Sequence, residues 1–131
     1  MRIFKNAWFD RFARKERISD RALRAAVQRV EAGQIDADLG GGVLKQRVAR
    51  PGKGKSKGYR TIVLFRRGER AVFVYGFSKS ARDNIRKDEE QQFKKAASYV
   101  LALSDQQIEA LMAKGQFSEV SLDDQNEAVS E

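Results

Sequence analysis

The feature that most limits the fold is a pair of apolar runs, Gly58 to Phe65 (GYRTIVLF) and Ala71 to Phe77 (AVFVYGF), joined by Arg66-Arg67-Gly68-Glu69. Both runs are rich in β-branched and aromatic residues, and the glycine-containing turn between them is short. Together they predict an antiparallel hairpin. Alternation puts Arg60, Ile62 and Leu64 on one face and Tyr59, Thr61, Val63 and Phe65 on the other. Arg60 is therefore a single charge at the start of an otherwise apolar strand, and it needs an anionic partner from protein or ligand.

The flanking segments supply the rest of one domain. Met1 to Phe4 reads as an opening strand that pairs into the sheet. From Asn6 a helical pattern places Phe9, Phe12 and Ala13 on one face, with Trp8 read as core or rim packing, the alternative being a nucleobase-stacking role. Ser19 caps a second helix with the apolar face Leu23, Ala26, Val27 and Val30, and Gly33 stops it. Arg17, Arg21, Arg24 and Arg29 are read on its solvated side, the alternative being a secondary contact to RNA or ribosome. Ile35 to Gly42 reads as a loop, Val43 to Ala49 as a half-buried strand with its basic side chains on the open face, and Pro51 to Lys57 (PGKGKSK) as a loop.

Further along, helices are expected over 88–103, with the stripe Phe93, Ala96, Ala97, Val100 and Leu101, and over 105–114, capped by Ser104 and closed by Gly115. The predicted class is α+β: a small antiparallel sheet, a three-stranded meander at its centre, an N-terminal helical hairpin and C-terminal helices, with one sheet face covered. The domain spans 1–117, and 118–131 reads as an acidic, disordered tail that either frays or shields the sheet.

Charge gives the first indication of a partner. Of 131 residues, 26 are Lys or Arg and 18 are Asp or Glu, a net +8. From Val43 to Arg70 there are ten Lys or Arg against one acid, Glu69. A cationic sheet edge of this kind suits a polyanion. Nothing reads as a signal peptide or a membrane span, so the protein is expected to be cytoplasmic, with no membrane partner.

The missing residues narrow the chemistry. The chain has no cysteine and no histidine. That removes disulfides, thiol nucleophiles, the usual imidazole base and most zinc sites. Neither Gly40-Gly41-Gly42 nor GKGKS (residues 52–56) is a phosphate loop, because the glycine spacing and the following helix are absent. Any catalysis here must use Lys, Arg, Tyr, Ser and carboxylates, with no metal or small-molecule cofactor expected.

The chain resembles the RelE/ParE superfamily of bacterial toxins, specifically its RelE-like branch. The resemblance covers about residues 1–103. It rests on the helices before the sheet, Lys45-Gln46-Arg47, Gly58-Tyr59-Arg60, and Phe77-Ser78-Lys79 followed by Arg82. It implies a microbial RNase-type fold, an endoribonuclease that cuts mRNA on the ribosome, and a neutralising antitoxin, commonly a helix-turn-helix protein. By the same resemblance Arg60 stabilises the transition state, Lys45 and Arg47 match a basic pair on the preceding strand, and Lys79 matches a basic position at the last strand's exit. Two positions depart from the family pattern: Ser80 stands where an arginine is usual, and Arg86 where a catalytic tyrosine is.

The residue chemistry is consistent with this reading. RNA supplies its own nucleophile, the 2′-OH, so the protein must align it, stabilise the phosphorane charge and handle two protons. Arginine's planar fork binds two phosphate oxygens at once, and lysine among like charges can act as acid or base. Lys53, Lys55 and Lys57 are candidates to replace the missing cations, Tyr59 or Tyr75 to stack a base, and Arg82 either to bind RNA or to pair with the C-terminal acids. Two other readings share the scaffold: a non-catalytic ParE-like inhibitor of DNA gyrase, and a plain RNA-binding module.

Overall fold

The computed structural model describes residues 1–50 and 54–122; of 54–57 it describes the backbone path alone. The elements run β1 (Arg2–Asn6), α1 (Ala7–Glu16), α2 (Asp20–Glu31), β2 (Ala37–Gly40), β3 (Val43–Arg50), β4 (Gly54–Arg66), β5 (Arg70–Ser78), α3 (Lys87–Val100), α4 (Asp105–Ala113) and β6 (Phe117–Glu119). The class is α+β, with four helices and one six-stranded sheet among the described residues, in the order β2-β3-β4-β5-β1-β6. All neighbours are antiparallel except β1, which lies parallel to β5. No helix among the described residues is long and apolar enough to cross a membrane.

The helix ends follow the local chemistry. Asn6 caps α1 by accepting from the Phe9 amide, Ser19 caps α2 by accepting from Ala22, and Ser104 forms a capping box with Gln107 on α4.

The sheet departs from the sequence reading in being covered on both faces. Phe9, Ala13, Leu23, Ala26 and Val27 of the first two helices pack on Val48, Tyr59, Val63 and Phe73. On the other face Ala97, Leu101, Leu103 and Ile108 pack on Phe4, Val43, Ile62, Leu64 and Val72. The cause lies in β4 and β5, which are apolar on both sides of their alternation. A strand of that kind needs two layers above and below it.

Three boundaries also move. The expected loop 51–57 is shorter, because β4 already begins at Gly54 and pairs there with Arg50. Within the expected loop 35–42, Ala37–Gly40 forms β2 along β3. Past Phe117 the chain forms β6 against β1 and buries Val120, so the ordered domain extends beyond residue 117. The short segments carry too little periodicity to show in sequence; pairing to an existing edge is what forms them.

A bulge in β5 shapes the site. Ile62 pairs with Tyr75 but Val63 pairs with Phe73, which leaves Val74 as an extra residue. Strict alternation would put Phe73, Tyr75 and Phe77 on one face. The bulge instead sends Phe73 toward α1 and α2 and turns Tyr75 to the face of Ile62. Gly76 then faces α1, where a Cβ would come within 2.7 Å of the Phe12 ring.

Candidate functional site

Beyond the ground covered by α3 and α4, the strands carry two transverse rows. Arg47 on β3 is opposite Arg60 on β4, which is opposite Phe77 on β5; one step along, Lys45, Ile62 and Tyr75 form the second row. Lys79 follows one residue after β5 ends, exposed in the turn where the Ser78 carbonyl accepts from Ala81 and Arg82. The 79–86 segment then borders this ground before α3 begins: Asn84 Oδ1 accepts from Lys45 Nζ at 3.2 Å and from the Ile85 amide at 2.9 Å.

The cations of these rows differ in how far their charge is compensated. Arg47 is held by Asp36, which accepts from its amide at 2.7 Å and from Nη2 and Nε at 3.0 and 3.2 Å. Burial alone would raise the Asp36 carboxyl, but these bonds and the nearby Arg29 charge outweigh it and hold it below its usual value. Arg82 is bound by Glu89 at 2.6 Å and by the Tyr75 hydroxyl at 3.0 Å. The Arg82 bonds, and then the Arg86 amide, hold the Glu89 carboxyl below its ordinary value.

Arg60 is different. It is half-buried, and its Nη1 has no hydrogen-bond partner among the described residues. A guanidinium nitrogen taken from water and left unbonded is costly, and such groups cluster where a ligand completes them. Lys45 touches only a neutral amide, and Lys79 makes no hydrogen bond or ion pair among the described residues. The uncompensated charge of the two rows and their rim is therefore carried by Arg60, Lys45 and Lys79.

Several site expectations are corrected. Tyr59 cannot stack a base: it lies 2% exposed on the opposite face, edge-on to Phe12, with its hydroxyl donating to Glu16 at 3.0 Å. Tyr75 reaches the site face but is largely enclosed, packed on Phe77, Phe93 and Trp8 and tied to Arg82. Arg82 pairs with Glu89 of α3. On α2, Arg24 is buried and donates to the Ser121 carbonyl, and Arg29 donates to the Arg47 carbonyl, so neither lies on a solvated face. The reason is shared: each guanidinium reaches a strand or chain end that sequence periodicity does not show.

The loop lysines are less informative. Lys53 lies outside the described residues, and Lys55 and Lys57 lie on β4 with their side chains outside the described part. Asp123, Asp124, Glu127 and Glu131 of the tail also lie outside the described residues. Glu119 is within them and binds Arg2 at 2.9 and 3.0 Å.

Sequence reasoning missed the partners that rank these cations: Asp36, Asn84 and Glu89. Only Glu89, in the first turn of a predicted helix, gave a signal. Gln46 was also missed. It is fully buried in β3, donates to the Ala26 and Gln34 carbonyls and accepts from the Asp36 amide, which fixes where Asp36 meets Arg47.

A family model described as RelE toxin of the RelE / RelB toxin-antitoxin system matches residues 1–120. No curated protein and no solved structure matches the chain.

Proposed function

We propose that this chain, which belongs to the RelE toxin family, acts as a metal-independent endoribonuclease on mRNA at the ribosome, and so arrests translation in the cytoplasm. Membership makes it the toxin of a toxin–antitoxin pair and implies an antitoxin partner. The finer reading is supported above all by Arg60, whose Nη1 is buried without a partner among the described residues, directly opposite Arg47.

In this reading Arg60 binds a non-bridging oxygen of the scissile phosphate and stabilises the added phosphorane charge. The 2′-oxygen forms a bond to phosphorus while the phosphorus–O5′ bond breaks. A 2′,3′-cyclic phosphate is left on one fragment and a 5′-hydroxyl on the other. One proton leaves the 2′-OH and one reaches the departing O5′. Lys45 and Lys79 are the assigned carriers, since an arginine stays protonated and Arg47 is occupied by Asp36. Arg47 fixes β3 and adds field; Lys53, Lys55 and Lys57 draw in the strand. DNA lacks the nucleophile, so RNA is the substrate.

The antitoxin, a helix-turn-helix protein in this reading, places an acidic or amphipathic segment on the same cationic rows. The test is induction of wild type and Arg60→Ala in a bacterium, following growth and mRNA ends. Arrest with new 5′-hydroxyl ends in the wild type alone supports the assignment. Cleavage that survives the combined Arg60→Ala and Lys79→Ala change overturns it. Arrest without scission points to the gyrase-inhibitor alternative, and RNA affinity without either points to a binding module.

A further inference from the structure

Three large hydrophobic residues are left exposed among the described ones: Trp8, Tyr99 and Leu122. Trp8, at 38% exposure, is the one linked to the cationic rows. Its position follows from where β1 stops. The β1–β5 pairing ends at Lys5 and Phe73, so beyond Val74 the β5 edge has no strand beside it among the described residues. There Asn6 turns the chain into α1, donating from Nδ2 to the Val74 carbonyl and accepting the Phe9 amide at Oδ1. Trp8 is laid across the open edge, 4.6 Å from the Tyr75 ring and 5.2 Å from Phe12.

We propose that Trp8 is a stacking platform for an unpaired nucleobase of the RNA strand that enters the cationic rows; this rests on the RNA-cleaving reading above. The indole is fixed by two rings and a side-chain cap, so little freedom is lost when a base lies on it. From Trp8 a continuous aromatic run leads through Tyr75 to Phe77, the strand neighbour of Arg60. On α1 the same side carries Arg11 and Lys15, three and seven residues on. Both are exposed, and neither makes an ion pair among the described residues. At 1.5 Å per residue this stripe spans about 10 Å, within reach of successive phosphates of a single strand. An aromatic ring flanked by cations matches single-stranded RNA, whose bases stack while its phosphates pair. A protein partner would call for a broader apolar patch.

Trp8 is the single tryptophan of the chain, so its emission reports this site alone. The experiment titrates the full-length protein with a 3′-labelled, 2′-O-methyl RNA oligonucleotide that cannot be cleaved. Binding is followed by anisotropy of the label, and Trp8 by its emission and its quenching by acrylamide. The expected result is that emission falls and acrylamide access decreases at the RNA concentration that saturates the anisotropy. Trp8→Ala should then bind about tenfold more weakly, and Trp8→Phe close to wild type, with equal melting of all three. Saturable RNA binding with unchanged Trp8 emission overturns the stacking site and leaves the RNA reading standing. So does unchanged affinity in Trp8→Ala. If no RNA binds, neither the free oligonucleotide nor the same strand loaded on ribosomes, but purified antitoxin shields the indole, the RNA reading itself fails and Trp8 belongs to a protein interface.

Discussion

Arg47 and Arg60 are directly opposite each other across β3 and β4, and the carboxylate of Asp36 binds Arg47, with Arg29 3.6 Å away, and makes no bond to Arg60. Like charges facing across a strand pair destabilise it, so Asp36 removes a repulsion and leaves Arg60 as the row's open cation. Asp36→Asn should lower stability by about 1 kcal/mol at neutral pH, a figure discounted for the solvent that reaches this pair. The sign with pH follows from the lowered Asp36 carboxyl. Its contribution is complete above the unfolded value of 3.8 and is lost as pH falls through the lower folded value. Thermal melts of the two proteins should differ at pH 7 and draw together as pH falls below the usual carboxylate range.

Arg60 should be a residue that costs stability to keep. Its Nη1 is buried and unbonded among the described residues, so Arg60→Met, which retains the stem and drops the charge, is expected to hold or raise stability by about 1 kcal/mol while abolishing RNA cleavage. Urea midpoints beside a cleavage assay give the comparison. A clear loss of stability in Arg60→Met would mean that Arg60 has a structural partner after all.

How much of this was legible can be traced residue by residue. The β4–β5 hairpin and the faces of Ile62 and Val63 followed from composition and alternation, because both cores draw on a period of two. Tyr75 was not legible in the same way: the Val74 bulge sets its face, and nothing in AVFVYGF marks where a ladder slips. The cations were visible as a group but not in rank. What separates Arg60 from Arg47 is Asp36, held in place by Gln46, eleven residues from Arg47 in sequence and joined to it only once β2 and β3 pair. Tyr59 was a stacking candidate as an aromatic beside Arg60, yet adjacent residues on a strand face opposite ways. Tyr59 is buried for the reason Arg60 is not.

That correction is testable. Tyr59→Phe should cost about 1 kcal/mol for the lost bond to Glu16 and leave RNA affinity unchanged, whereas a stacking tyrosine would tolerate Phe in both respects. Burial, and then Glu16, raise the Tyr59 hydroxyl above its ordinary value of 10.0. A raised folded value means that the stabilisation is present below pH 10 and fades as pH rises through it. The wild type should thus lose its advantage over Tyr59→Phe in alkaline melts.

Gly58 carries a constraint of a different kind. Val48 pairs with Tyr59 but Arg50 pairs with Gly54, so the β4 strand bows out where Gly58 approaches β3. A Cβ at Gly58 would sit 2.1 Å from the Val48 carbonyl oxygen and 3.1 Å from the Arg50 amide nitrogen. Neither is the end of a flexible side chain, so the strands must part. Gly58→Ala should cost at least about 2 kcal/mol and displace Arg60, lowering cleavage beyond what the stability loss explains. Amide exchange should rise first along Val48 and Arg60.

The chain past Phe117 offers the last test, because it was read as a tail and is in part a strap. β6 pairs Phe117–Glu119 with β1, Glu119 binds Arg2, and Asp20 accepts from the Ser121 amide at 2.8 Å. Val120 sits between these bonds, 1% exposed in the core shared with α1 and α2, while Leu122, two residues on, is 60% exposed. Val120→Ala should therefore cost about 2 kcal/mol, and Leu122→Ala less than about 0.5 kcal/mol. Ending the chain after Gln116 should cost more than Val120→Ala, since the β1 edge and the Arg2 and Asp20 partners are lost together. Urea unfolding of the three variants orders them, and equal midpoints for Val120→Ala and Leu122→Ala would remove the strap from the fold.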